Sequence, residues 1–104
     1  MKGSELFKMY LKKHETEGRV IVAVCDKSIL GKKFKEGMLV LQIDESFYKG
    51  DEACDEDIKE ALTCAAIANI SGQRSVSCAV ACGFIDPDTV IYIEGIPHAQ
   101  MVRL

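Results

Sequence analysis

The chain has 104 residues, 48% of them hydrophobic and 28% charged, with a formal net charge of −3. That composition describes one domain, residues 1–104, with core enough to fold alone, and it excludes disordered, collagen-like and disulfide-stapled classes. No apolar block follows Lys2, and no apolar run approaches the roughly 18 residues of a bilayer span, so a soluble, cytoplasmic protein with no membrane partner is expected.

Charge is uneven along the chain. Residues 1–49 hold ten Lys/Arg against seven Asp/Glu, a net +3, whereas residues 50–104 hold three against nine, a net −6. A basic surface is therefore compatible with the acidic total, and an anionic partner is not excluded. The five cysteines (Cys25, Cys54, Cys64, Cys78, Cys82) form no CxxC pair and fall mostly in apolar patterns, where free cysteine acts as a small hydrophobe. A reducing compartment suits them better than an oxidising one.

In chain order, Phe7, Met9 and Leu11 alternate with Lys8, Tyr10 and Lys12, the period of a half-buried strand. The polar run Lys13 to Gly18 reads as a hairpin connection, with His14 an ordinary loop residue. Val20 to Cys25 is apolar on both faces and reads as a central strand, with Met38 to Ile43 as its expected partner across the excursion Asp26 to Gly37. After Gly50 the period becomes helical. Ile58, Ala61, Leu62, Ala65, Ala66, Asn69 and Ile70 form one stripe, and Asp51, Glu52, Asp55, Glu56 and Asp57 crowd its start, where carboxylates complement the helix dipole. Ser71-Gly72 interrupts, a second helix is expected from about Gln73 to Cys82, and Gly83 ends it with Phe84 in support. Asp86-Pro87-Asp88 is a turn, and Val90 to Ile93 and Gln100 to Leu104 supply the last strands. The expected class is α+β: a single mixed or antiparallel sheet of about five strands with two consecutive helices on one face.

Three segments carry a resemblance: Gly18 to Asp26, Ile67 to Ser75 and Gly95 to Gln100. With their order and spacing they resemble a small archaeal family, domain of unknown function 424, over nearly the whole chain from about Lys8. The resemblance implies an archaeal, cytoplasmic, stand-alone domain. It brings no established activity and no catalytic residues.

Candidate sites come from the residues themselves. Lys32, Lys33, Phe34 and Lys35, between Gly31 and Gly37, could contact phosphates and stack a base; the plainer account is a solvated hairpin whose lysines protect an edge. No Walker A pattern is present. Ser71, Gly72 and Arg74 could form an anion-binding helix start, or simply cap the second helix. His98 follows Pro97 at a loop–strand junction, and Gln100 faces its side at strand spacing, so the pair could hold a ligand; a locally satisfied histidine is the plainer account. Cys64, Cys78, Cys82 and His98 contain the right atoms for zinc but not the spacing, and core burial explains them better. No metal or cofactor is expected, and no catalytic residue can be named. The function that suits this set is a non-enzymatic binding module for RNA or a ribonucleoprotein or translation component. The alternative is a small enzyme or metabolite-binding domain around His98, Gln100 and Arg74, and a protein adaptor using a sheet edge is a third.

Overall fold

The computed structural model describes residues 8–103. The strands are β1 (Met9–Thr16), β2 (Arg19–Asp26), β3 (Lys33–Glu36), β4 (Leu39–Gln42), β5 (Asp51–Ala53), β6 (Ile67–Ser71), β7 (Ile91–Ile93) and β8 (Ile96–Val102). The helices are the single turn α1 (Glu45–Tyr48), α2 (Asp55–Cys64) and α3 (Gln73–Ala81), and short 3₁₀ turns occupy Lys27–Ile29 and Pro87–Thr89. Six strands form one mixed sheet in the order β5-β1-β2-β6-β8-β7, and β3–β4 make a separate two-stranded sheet. Among the described residues only β2 and β6 run parallel; the other pairs are antiparallel. The class is α+β.

The apolar run of β2 is explained by a sheet covered on both faces. Val22 and Val24 pack with Ala68, Ile70, Ala99 and Met101 under α2 and α3. Ala23 and Cys25 face the other way, under Phe34 and Leu41 from the β3–β4 hairpin, Ile43 just after it, and Tyr48 from α1. Both valines are fully buried, as a central strand requires, and each contributes on the order of 2 kcal/mol by leaving water.

Several expectations are corrected. The partners of β2 are β1 and β6, whereas Met38 to Ile43 contributes β4, which pairs with β3. The helical stripe ends at Cys64, and Ile67–Ser71 is β6. The two helices are thus separated by a strand, and the sheet has six strands rather than about five. Small residues explain the misreading. Ala65, Ala66 and Ala68 fit a helical face, yet Ala68 and Ile70 also alternate with Asn69, and pairing with β2 selects the strand period. Asp51 and Glu52 belong to β5, and only Asp55, Glu56 and Asp57 lie in the first turn of α2. β1 continues to Thr16, so Lys13 and His14 are strand residues and the connection shrinks to Glu17–Gly18, both at positive φ. His14 stacks on Phe47 with ring centroids 4.7 Å apart. β8 begins at Ile96, after a two-residue turn at Glu94–Gly95. Phe7 and Leu104 lie outside the described residues.

Candidate functional site

The parallel strands β2 and β6 end side by side at Asp26 and Ser71, and α3 starts immediately after Gly72. Antiparallel pairing of β6 with β8 sets Ser71 opposite His98. Cys25, Ser71 and His98 therefore make one row across the sheet, on the face covered by α1 and the hairpin.

Within that row Ser71 Oγ and His98 Nδ1 are hydrogen-bonded at 2.8 Å, and the Tyr48 hydroxyl meets the same Ser71 Oγ at 3.2 Å. Ser71 is 0% exposed and Tyr48 4%. Burial depresses the His98 pKa below its ordinary value, so the imidazole is neutral at neutral pH. Burial, with the nearby Cys25 adding to it against the Ser71 hydrogen bond, raises Tyr48. The Cys25 thiol is pushed up to about 12, mainly by burial and then by the Asp26 charge, so it is not a nucleophile. Tyr48, Ser71 and His98 thus form a neutral hydrogen-bonded chain whose outer end is His98.

His98 lines an open cleft of about 450 Å³ with Thr89, Ile91, Ala99 and Gln100. Gln100 donates from Nε2 to Asn69 Oδ1 at 2.8 Å. The sequence pairing of His98 with Gln100 thus corresponds to one cleft, next to the part of β8 that β7 leaves uncovered. Neither Tyr48 nor Asn69 stands out as a site residue in the sequence. A lone tyrosine after a polar turn and an asparagine in an alanine-rich stripe carry no signal until the strands are paired.

The expected anion site at Ser71, Gly72 and Arg74 is already filled. Asp26 accepts from the Arg74 backbone N–H at 3.0 Å, the Ser75 backbone N–H at 2.8 Å and Ser75 Oγ at 2.7 Å. The carboxylate of β2 is thus the anion at the start of α3. A Cβ on Gly72 would overlap this carboxylate, and φ of +109° suits only glycine. Ser71 is not the cap; its hydroxyl belongs to the His98 row. Arg74 is exposed on the helix side of the sheet and does not join His98.

The lysine cluster divides by strand alternation. Phe34 pairs with Leu41 and turns inward against the core, so it offers no platform for a base. Lys33 and Lys35, opposite Gln42 and Val40, occupy the outward row, and Lys32 is exposed beside them. At the tip, Met38 is 99% exposed and Leu39 and Val40 50% each. The hairpin is anchored from behind, where the Lys35 backbone N–H donates to Glu94 and the Glu94 N–H to Glu36, both at 2.6 Å.

No three His, Cys, Asp or Glu side chains gather as a metal site among the described residues. Cys78 and Cys82 belong to the helix side of the core, whereas His98 faces the opposite layer, so the zinc set considered from the sequence does not converge. Burial first, then Asp55 and Cys82, pushes Cys78 up to about 12. A larger cleft of about 590 Å³ at the open edge of β1 is lined by Lys12, Lys13, Asp51, Glu52, Asp57 and Glu60 among others. Three of its charges are already engaged, Lys12 with the Ser46 carbonyl, Asp57 with Cys54 and Glu52 with Lys27, so the His98 cleft is the better candidate although it is smaller. No helix among the described residues is long and apolar enough to cross a membrane.

No curated protein matches the chain. It is similar to a solved structure from the archaeon Methanopyrus kandleri, described as an uncharacterized conserved protein. The TM-score is 0.75 at 28% identity, covering 92% of this chain and 94% of that one. With residues 14–104 matched by the family model, the chain belongs to the family described as Protein of unknown function (DUF424).

Proposed function

We propose that this domain is a non-enzymatic binding module whose β3–β4 hairpin engages the phosphate backbone of RNA, in the cytoplasm of an archaeal cell. The observation that carries the reading is the outward row of the hairpin: Lys33 and Lys35 side by side with Lys32, none of them in an ion pair among the described residues. Exposed cations on a two-stranded ribbon suit a polyanion, because releasing its counterions drives binding. Glu36 and Glu94 are engaged in anchoring the hairpin from behind. The non-enzymatic half rests on Ser71, the hydroxyl bonded to His98, which is too buried to meet a substrate. Phe34 and the α3 start drop out of this interface, for the reasons given above.

The test is fluorescence anisotropy with a labelled single-stranded RNA across a salt series. Three phosphate contacts give a log–log slope of about −2. Changing Lys32, Lys33 and Lys35 together to Glu abolishes binding, while the thermal midpoint stays within a few degrees because all three side chains are exposed. No binding at low salt, or undiminished binding by the triple variant, sinks the reading.

The metabolite-binding reading keeps one observation in its favour: His98 and Gln100 line the same cleft. Arg74 is not part of it.

A further inference from the structure

We infer that the cleft between the Pro87–Thr89 turn and β8 is a binding site for a neutral amide group, held by His98 acting as an Nε2–H donor. This rests on the metabolite-binding reading of that cleft and specifies its ligand.

The direction of the buried chain fixes the role of His98. The Tyr48 hydroxyl is buried, and among the described residues its hydrogen-bond partner is Ser71 Oγ. Orphaning a buried hydroxyl proton is costly, so Tyr48 donates to Ser71. Ser71 then needs an acceptor for its own proton, and Nδ1 of His98 lies 2.8 Å away. Nδ1 is therefore the unprotonated nitrogen, and a neutral ring must carry its proton on Nε2. No protein acceptor within the described residues takes that proton, and His98 borders the cleft. The ring offers a donor there and no base. Tyr48 and Ser71 hold it in that tautomer from below, as supporting residues preorganise a binding group.

The other cleft groups supply acceptors. The Gln100 side chain uses Nε2 on Asn69, leaving Oε1 available. Its backbone faces the same way. The carbonyl of Pro97 and the N–H of Arg103 bond toward the β6 side, so alternation turns Ile96, His98, Gln100 and Val102 toward β7. β7 pairs only as far as His98, because Pro87–Thr89 curls into a 3₁₀ turn held by Asp86. The backbone N–H and C=O of Gln100 are left at the cleft. A donor on His98 beside donors and acceptors on Gln100 complements a group carrying both C=O and N–H.

Charge and shape narrow the class. No cation among the described residues lines the cleft, and Asp86 and Asp88 precede Thr89, so a carboxylate or phosphate would be desolvated without a counter-charge. Among the described residues no Phe, Tyr or Trp ring lines it either, which removes the usual platform for a nucleobase.

The test is NMR on the whole chain with 15N-labelled histidine, which is tractable because there are only two histidines. At neutral pH the long-range 1H–15N pattern of His98 should be that of the Nε2–H tautomer. N-methylacetamide, titrated to molar concentration, should shift His98 and Gln100 signals, with acetate binding about tenfold more weakly or not at all. His98→Gln, which keeps an N–H near the same place, should retain binding, whereas His98→Ala should lose about tenfold, the worth of one hydrogen bond. An Nδ1–H tautomer, or acetate binding as well as the amide, overturns the amide assignment while leaving a ligand cleft. Silence toward both probes overturns the cleft reading too. Neither result touches the RNA reading of the hairpin.

Discussion

The β3–β4 hairpin and the Tyr48–Ser71–His98 row belong to the same side of the large sheet, yet they present opposite chemistry. The hairpin turns charge and apolar surface outward: Lys33 and Lys35 on one row, Met38 at the tip. The row turns polarity inward, with the Ser71 and Tyr48 hydroxyls shielded from water and both of them partnered. Exposed lysines act by long-range attraction that salt screens, whereas a buried neutral chain acts by fixing one geometry and one tautomer. The first can recognise a class of polymer and the second a specific group.

Glycine substitutions separate the two regions most sharply. Gly72, at φ +109° and ψ 153°, lies against the Asp26 carboxylate. Gly72→Ala should therefore cost about 3 kcal/mol or more, combining a glycine-only conformation with a steric overlap. Gly37, at φ +62° in the hairpin turn, has open space around it, and Gly37→Ala should cost only about 1 kcal/mol. Urea denaturation of both variants measures the gap. Equal losses would mean that the start of α3 tolerates repacking and is not locked on Asp26.

The next effect in size sharpens the account of the row. Ser71→Ala strips partners from both Tyr48 and His98 and should cost about 2 kcal/mol. Tyr48→Phe should cost less, about 1 kcal/mol, because Ser71 keeps His98 as its acceptor. If Tyr48→Phe proved the worse of the two in thermal melts, the proton order along the chain would be reversed or the phenol would have another partner.

The smallest effect is in pH. The folded pKa of His98 lies below its ordinary 6.5, so between those two values the unfolded chain binds a proton that the folded chain refuses. Stability from this residue is complete above about 6.5 and declines as pH falls toward the folded value. The groups joined to the ring by hydrogen bonds, Ser71 directly and Tyr48 through it, are neutral in that range. In His98→Gln the corresponding decline should be absent when melting curves are compared across that window. Identical pH profiles would mean that the ring titrates as freely in the folded protein as in the unfolded chain.

Much of this was legible in the chain, and the losses have physical causes. The β2 run was readable because β-branched residues apolar on both faces have few other places to be, and α3 because Gly72 and Gly83 bracket it. Strand β6 was not, since Ile67 to Ser71 is short, alanine-containing and consistent with both periods; only the parallel edge of β2 selects one. The lysine run is plain in the sequence, but the inward turn of Phe34 is not, because hairpin register decides which residues turn inward. Strand alternation alone puts His98 and Gln100 on one face of the last strand. Tyr48 and Ser71 were not joined to His98, since they lie 50 and 27 positions away in sequence.

By itself, then, the sequence determined the local facts: an α+β class, a doubly buried β2, a basic hairpin, and a histidine beside a glutamine on the final strand. These follow from side-chain period, turn residues and composition, which act over a few residues. Tertiary structure alone decided which strand lies beside β2, which carboxylate occupies the start of α3, and which hydroxyl sets the proton on His98. Each is a contact between distant residues, Asp26 with Ser75 or Ser71 with His98. Their geometry exists only after the sheet has paired, and no local pattern encodes it.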